Sequence, residues 1–103
     1  MLKIFNVFFS GPKADVKELV KEGAMIIDVR TPAEFREGHI KGSLNIPLDS
    51  IRSKIPQLKK EGKKIITVCR SGNRSAMAKS LLSGSGITAT NGGAWQELQH
   101  RLS

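Results

Sequence analysis

The sequence contains a single cysteine, Cys69, and that scarcity excludes an intramolecular disulfide and any zinc site built on several thiolates. The chain lacks the disulfide staples of small secreted domains and suits a reducing compartment. Acidic residues are also few, nine against 17 lysines and arginines, for a net charge of +8. Such an excess attracts anions of every kind, from small oxyanions to RNA or an acidic protein, and by itself selects none of them. No low-complexity tract or internal repeat interrupts the chain, and an apolar fraction of 39% with ordinary charge content excludes a disordered tail. The stretch from Met1 to Phe9 is apolar, but Asn6 breaks the run and no Ala-x-Ala-like cleavage site follows. It reads as a first strand with an irregular lead rather than as a signal peptide. The expected location is cytoplasmic, with no membrane partner.

A length of 103 residues fits one domain, residues 1–103, around one modest core. The densest basic cluster, Lys59, Lys60, Lys63 and Lys64 around Gly62, has no aromatic neighbour on which a base could stack, so it reads as a solvated turn and nucleic acid is not the expected partner.

Val16, Leu19 and Val20 fall at helical spacing, with Gly23 placed to end a helix over Lys13 to Glu22. Met25 to Val29 is a short, β-branched apolar run, as a central parallel strand requires, with Asp28 its polar exception. Thr31, Pro32 and Glu34 make a capping box for a short helix to about Gly38. Ser43 to Ile46 is a brief strand, and Leu48, Ile51, Ile55 and Leu58 predict a helix disturbed by Pro56. Lys64 to Val68 is the second strong strand. Met77, Ala78, Leu81 and Leu82 share one helical face that Gly84 stops. A weaker strand over Ile87 to Ala89, a Gly92-Gly93 turn and a last helix carrying Trp95, Leu98 and Leu102 complete the pattern. Alternating strands and helices imply an α/β fold, an open parallel sheet covered by helices on both faces, with its site at the carboxyl ends of the strands.

Cys69 stands at such an end, followed by Arg70, Ser71, Gly72, Asn73, Arg74 and Ser75 ahead of a helix. A thiol becomes a nucleophile when it ionises, and helix amino-termini and arginines favour the thiolate. Gly72 and Asn73 tolerate left-handed backbone angles, which would turn successive N–H groups inward as an anion-binding nest. The alternative, an inert cysteine packed as a small hydrophobe, leaves the flanking arginines and the glycine-containing loop unexplained.

This loop, together with Asp28-Val-Arg30, Pro32-Ala-Glu34-Phe and the run Gly38-His-Ile-Lys-Gly-Ser-Leu-Asn-Ile-Pro47, resembles the rhodanese-like sulfurtransferases in motif order over most of the chain. The resemblance implies a five-stranded parallel core and Cys69 as a nucleophile that takes sulfane sulfur from a small anionic donor such as thiosulfate. The persulfide would then pass its outer sulfur to cyanide, a thiol or a protein acceptor. Two half-reactions imply ping-pong kinetics. The amides from Arg70 to Ser75 would stabilise thiolate and persulfide, with the Arg70 and Arg74 side chains orienting the donor. Asp28, Arg30, Glu34 and His39 are expected to support the scaffold, since in the resembling family this histidine belongs to a structural turn. No metal and no cofactor is called for.

Related phosphatases and arsenate reductases place five residues between cysteine and arginine, whereas four separate Cys69 from Arg74, which fits one sulfur atom better than a tetrahedral oxyanion. Two departures from the family pattern stand out. Trp95 follows Gly93 by a shorter gap than usual, which favours a core anchor over a place at the site mouth, and Ser43 replaces a small apolar residue. The alternative function is a sulfur carrier or binding module that acts only with a protein partner.

Overall fold

The computed structural model describes residues 15–103. In chain order the elements are α1 (Val16–Lys21), β1 (Met25–Asp28), α2 (Pro32–Glu37), β2 (Leu44–Asn45), a 3-10 turn (Leu48–Ser50), α3 (Ile51–Glu61), β3 (Ile65–Cys69), α4 (Asn73–Gly84), β4 (Ala89–Ala94) and α5 (Trp95–Leu102). The strands form one parallel sheet in the order β2-β1-β3-β4. Four strands are therefore present among the described residues, where the resemblance implied five; the strand expected over Met1 to Phe9 lies outside them.

Both faces of the sheet are covered, and the alternation along its two central strands shows why. Ile27, Val29, Ile65 and Cys69 point to one side, where they pack with Ile51 and Leu58 of α3 and Ala78 and Leu82 of α4. Ile26, Ile66 and Val68 point to the other and meet Val16 of α1 and Leu98 of α5. All five residues of β3 are buried, so this strand has no solvent face, which accounts for an apolar run broken only by Thr67.

The local signal acts as expected at the start of α2. Thr31 Oγ1 accepts from Glu34 N at 3.2 Å while Glu34 Oε1 accepts from Thr31 N at 3.0 Å, closing the capping box around Pro32. Asp15 caps α1 at Val16; the expected start at Lys13 lies outside the described residues. Two expectations are corrected. Pro56 lies inside a continuous α3, because it and Arg52, whose carbonyl loses its donor, both face water. Gly92 and Gly93 do not form a turn but extend the last strand, which runs through Ala94. The pairing of β4 with β3 slips there, Thr67 opposite Asn91 but Val68 opposite Gly93, so that Gly92 is the extra residue of a bulge. A Cβ on Gly92 would stand 2.7 Å from Ile66 Cγ2 and 2.9 Å from the Thr67 carbonyl oxygen, a gap that only glycine fits.

Lys59, Lys60, Lys63 and Lys64 are exposed around Gly62, which ends α3 in the left-handed conformation. Among the described residues no helix is long and apolar enough to cross a membrane.

Candidate active site

The site forms where β3 stops and α4 begins. Cys69 is the last strand residue, Asn73 the first helical one, and Gly72 between them has φ of +107°, which turns the chain sharply enough for the first turn of α4 to face back on the sulfur. Gly72 N–H donates to Cys69 Sγ at 3.0 Å and Ser75 N–H at 3.4 Å. The loop is thus a partial nest: the amides of Gly72 and Ser75 hold the sulfur, and Asn73, expected to share the left-handed geometry, is helical instead. The positive end of a 12-residue helix adds to their effect.

Burial pushes the Cys69 thiol up, but the Ser75 hydroxyl, once its proton is turned to the sulfur, and the amides of Ser75, Gly72 and Ser71 together outweigh it, so the thiol ionises below its ordinary value of 9.0. The loop donors come foremost, and Arg74 adds a smaller Coulombic attraction to the ionised sulfur. Arg74 forks onto Glu34, Nη1 to Oε1 at 2.7 Å and Nη2 to Oε2 at 3.0 Å. That carboxylate, foremost, raises the Arg74 pKa, with smaller contributions from Cys69 and Asp28. Arg70 and Ser71 are exposed, and the Arg70 guanidinium makes no hydrogen bond or ion pair among the described residues.

Cys69 itself is only 1% exposed and belongs to the core cluster on its side of the sheet. The sulfur is enclosed rather than open to solvent, yet it has main-chain donors on it, which an inert packed cysteine does not have.

Asp28 and Arg30 form a buried pair at the end of β1. Arg30 Nε and Nη2 reach the carboxylate at 2.9 and 2.8 Å, and the Arg30 amide donates to Asp28 Oδ1 at 3.0 Å. The same guanidinium donates to the carbonyls of Gly38 at 2.7 Å and Glu34 at 3.3 Å, and lies 4.6 Å over the Trp95 ring. It therefore ties β1, α2 and α5 together. His39 stacks on Phe35 at 3.7 Å and its Nδ1 donates to the Phe35 carbonyl at 2.6 Å, with no hydrogen bond to the cysteine loop. Beside the loop lies a cleft of about 320 Å³ bordered by Glu34, Glu37, Arg70, Trp95 and Gln96. Trp95 thus packs against the core cluster of its face and also lines this cleft. No group of three or more His, Cys, Asp or Glu among the described residues is placed to hold a metal ion.

Two contributors were not foreseen. Thr67 Oγ1 donates to the Ser75 carbonyl at 2.8 Å and ties α4 to β3. Asn91 of β4 accepts on Oδ1 from Ser75 Oγ at 2.7 Å and from Gly93 N at 2.9 Å, while its Nδ2 donates to the Gly72 carbonyl at 3.3 Å. The signal available in the sequence was an asparagine set immediately before two glycines.

A parallel α/β sheet that ends its central strand in a cysteine held by loop amides defines a class of thiolate-loop domains. The chain belongs to the rhodanese-like domain family, whose sequence profile matches residues 12–97. It is 35% identical over 63 residues to "Thiosulfate sulfurtransferase PspE" of Escherichia coli, which covers 60% of this chain and 61% of that one. It is 32% identical over 77 residues to "Thiosulfate sulfurtransferase GlpE" of Pseudomonas syringae, covering 75% of this chain and 72% of the relative. The chain thus spans about three fifths of the first of these and nearly three quarters of the second. Among solved structures, a rhodanese-related protein from Thermoplasma volcanium superposes with a TM-score of 0.71 at 36% identity, covering 85% of this chain and 87% of that one. These likenesses carry the rhodanese-like α/β fold.

Proposed function

We propose that this protein is a sulfurtransferase that carries sulfane sulfur on Cys69 as a persulfide. The observation that carries the reading is the convergence of the Gly72 and Ser75 N–H groups on Sγ at 3.0 and 3.4 Å. Donors fixed in a water-poor site favour an anionic sulfur and need no reorganisation when charge develops on it.

With thiosulfate as donor, the Cys69 thiolate attacks the outer sulfur. A new S–S bond forms, the bond from that sulfur to the sulfonate sulfur breaks, and sulfite leaves with the electron pair. The amides that held the thiolate then serve the persulfide. A nucleophilic acceptor, cyanide or a thiolate, then attacks the outer sulfur and returns Cys69 as thiolate. Arg70, exposed on the side of the cleft, supplies a cation for the incoming donor, and Arg74 supplies a second that Glu34 holds in place.

One observation favours a second reading. Because Cys69 is 1% exposed, a protein that docks and opens the loop could be the obligatory donor or acceptor, making the domain a sulfur carrier. Assaying thiocyanate formation from thiosulfate and cyanide, with Cys69→Ala as control, separates the two. Cysteine-dependent turnover of the small molecules supports the enzyme, and its absence supports the carrier. A gain of one sulfur on the Cys69 peptide by mass spectrometry tests persulfide formation directly; a peptide that never gains sulfur from thiosulfate or from a persulfide donor would overturn both.

A further inference from the structure

The Ser75 hydroxyl stands between two claimants for its one proton. Its oxygen lies 2.7 Å from Asn91 Oδ1 and 3.4 Å from Cys69 Sγ. The orientation of the Asn91 amide is fixed from outside: the atom 2.9 Å from Gly93 N must be the oxygen, since an amino group there would set two donors face to face, and Nδ2 then meets the Gly72 carbonyl at 3.3 Å. Asn91 Oδ1 can only accept, so in this arrangement Ser75 donates to it. The lone pairs of the hydroxyl are left toward Cys69, where they accept from the S–H of a neutral thiol. A thiolate requires the opposite, a donor. The Ser75 proton must then leave Asn91 and turn to the sulfur, and the hydroxyl cannot serve both at once.

We propose that Asn91 is a positioning residue that competes with the Cys69 thiolate for the Ser75 proton and so sets the pH at which the sulfur ionises. With Asn91 in place, the neutral thiol has a partner in Ser75 and the thiolate gains that partner only by breaking a short hydrogen bond. Without Asn91, the hydroxyl is free to donate to the thiolate, and the thiol ionises at lower pH. The bulge at Gly92 belongs to this device, because Asn91 is the last β4 residue in register before the slip and sits opposite Thr67, on the side of the sheet where Cys69 and Ser75 lie. The charged groups around the sulfur are otherwise accounted for. Arg74 of α4 is held on Glu34 of α2, Arg70 follows Cys69 in the loop, Asp28 of β1 is paired with Arg30, and β4 carries no titratable side chain.

The inference rests on Cys69 working as an ionised sulfur, and alkylation by iodoacetamide reads that ionisation whether or not sulfur is transferred. The pH profile of Cys69 alkylation is measured in wild type, Asn91→Ala, Ser75→Ala and the double variant. Asn91 is exposed, so its replacement removes little packing. Loosening of the loop shifts the profile equally with and without Ser75, whereas competition for a proton acts only through Ser75. The expected result is a downward shift on Asn91→Ala in the presence of Ser75 that is absent or clearly smaller in the Ser75→Ala background. An upward shift, or equal shifts in the two backgrounds, overturns the inference. Should Asn91→Ala fail to fold, Asn91→Asp, which keeps the acceptor for Gly93 and Ser75, passes through the same cycle and must shift the profile upward more with Ser75 than without it. A failed thiosulfate assay alongside a Ser75-dependent shift would count against turnover of small-molecule donors and leave the proton competition standing.

Discussion

Arg74 and Glu34, 40 residues apart in the chain, meet as a two-pronged ion pair between the first turns of two helices. Glu34 thereby serves two ends: it closes the capping box of α2 and it anchors the arginine of the cysteine loop. Arg74, foremost, and the Thr31 amide lower its pKa from 4.5 to about 2. A carboxyl depressed in the folded state adds stability that is complete above the unfolded value near 4.5 and is lost as pH falls toward 2. Both side chains are about a third exposed, so solvent screening keeps the contribution to about 1 kcal/mol or less. Glu34→Gln preserves the cap and removes the charge. Urea unfolding should show wild type ahead by that amount at pH 7, with the difference vanishing by about pH 2.

Arg74→Ala tests the other end of the pair. It removes a side chain about a third exposed and little core volume, so stability should fall by about 1 kcal/mol or less, while kcat/KM for thiosulfate falls about tenfold or more through loss of a cation at the loop. Turnover equal to wild type would show that the guanidinium only braces α2.

The Asp28–Arg30 pair is of a different kind, since both side chains are almost fully enclosed. Truncating Asp28 to alanine leaves a buried guanidinium with its carboxylate gone, and the expected loss is about 3–5 kcal/mol. Denaturant titration should rank this variant well below Glu34→Gln at neutral pH; similar midpoints for the two would refute the assignment of Asp28 to the scaffold.

Gly92→Ala drives a methyl group against Ile66 and the Thr67 carbonyl. The strand must yield, at a cost of about 1–3 kcal/mol, and Asn91 moves with it. Thermal unfolding together with the alkylation profile of Cys69 checks both effects, and an unchanged melting temperature would contradict the close approach.

Much of this arrangement was legible in local sequence. The capping box at Thr31-Pro32-Glu34, the two buried strands and the strand-loop-helix around Cys69 each depend on neighbours within a few positions, where periodicity and turn chemistry speak directly. The parts that escaped depend on register or on distance along the chain. Gly92-Gly93 carries the signature of a turn, and only pairing with β3 converts it to a bulge. Asn91 gains its role from that bulge, which no period of two reveals. Glu34 satisfies its capping role locally, so nothing in the sequence marks its second partner. Charge near a residue in sequence says little about where the guanidinium lands, and nothing local showed that Arg74 would reach Glu34 while Arg70 faces water.

Cys69 is both the reactive atom's mount and a brick in the wall behind it, because the strand that ends there has no exposed residue and no room to recede. Any group added to the sulfur has to grow outward, past Gly72 and Ser75, and cannot be accommodated by retreat into the interior. The stiffness of one short strand therefore sets the line of travel: an added atom extends the side chain along the direction it already has, toward the loop.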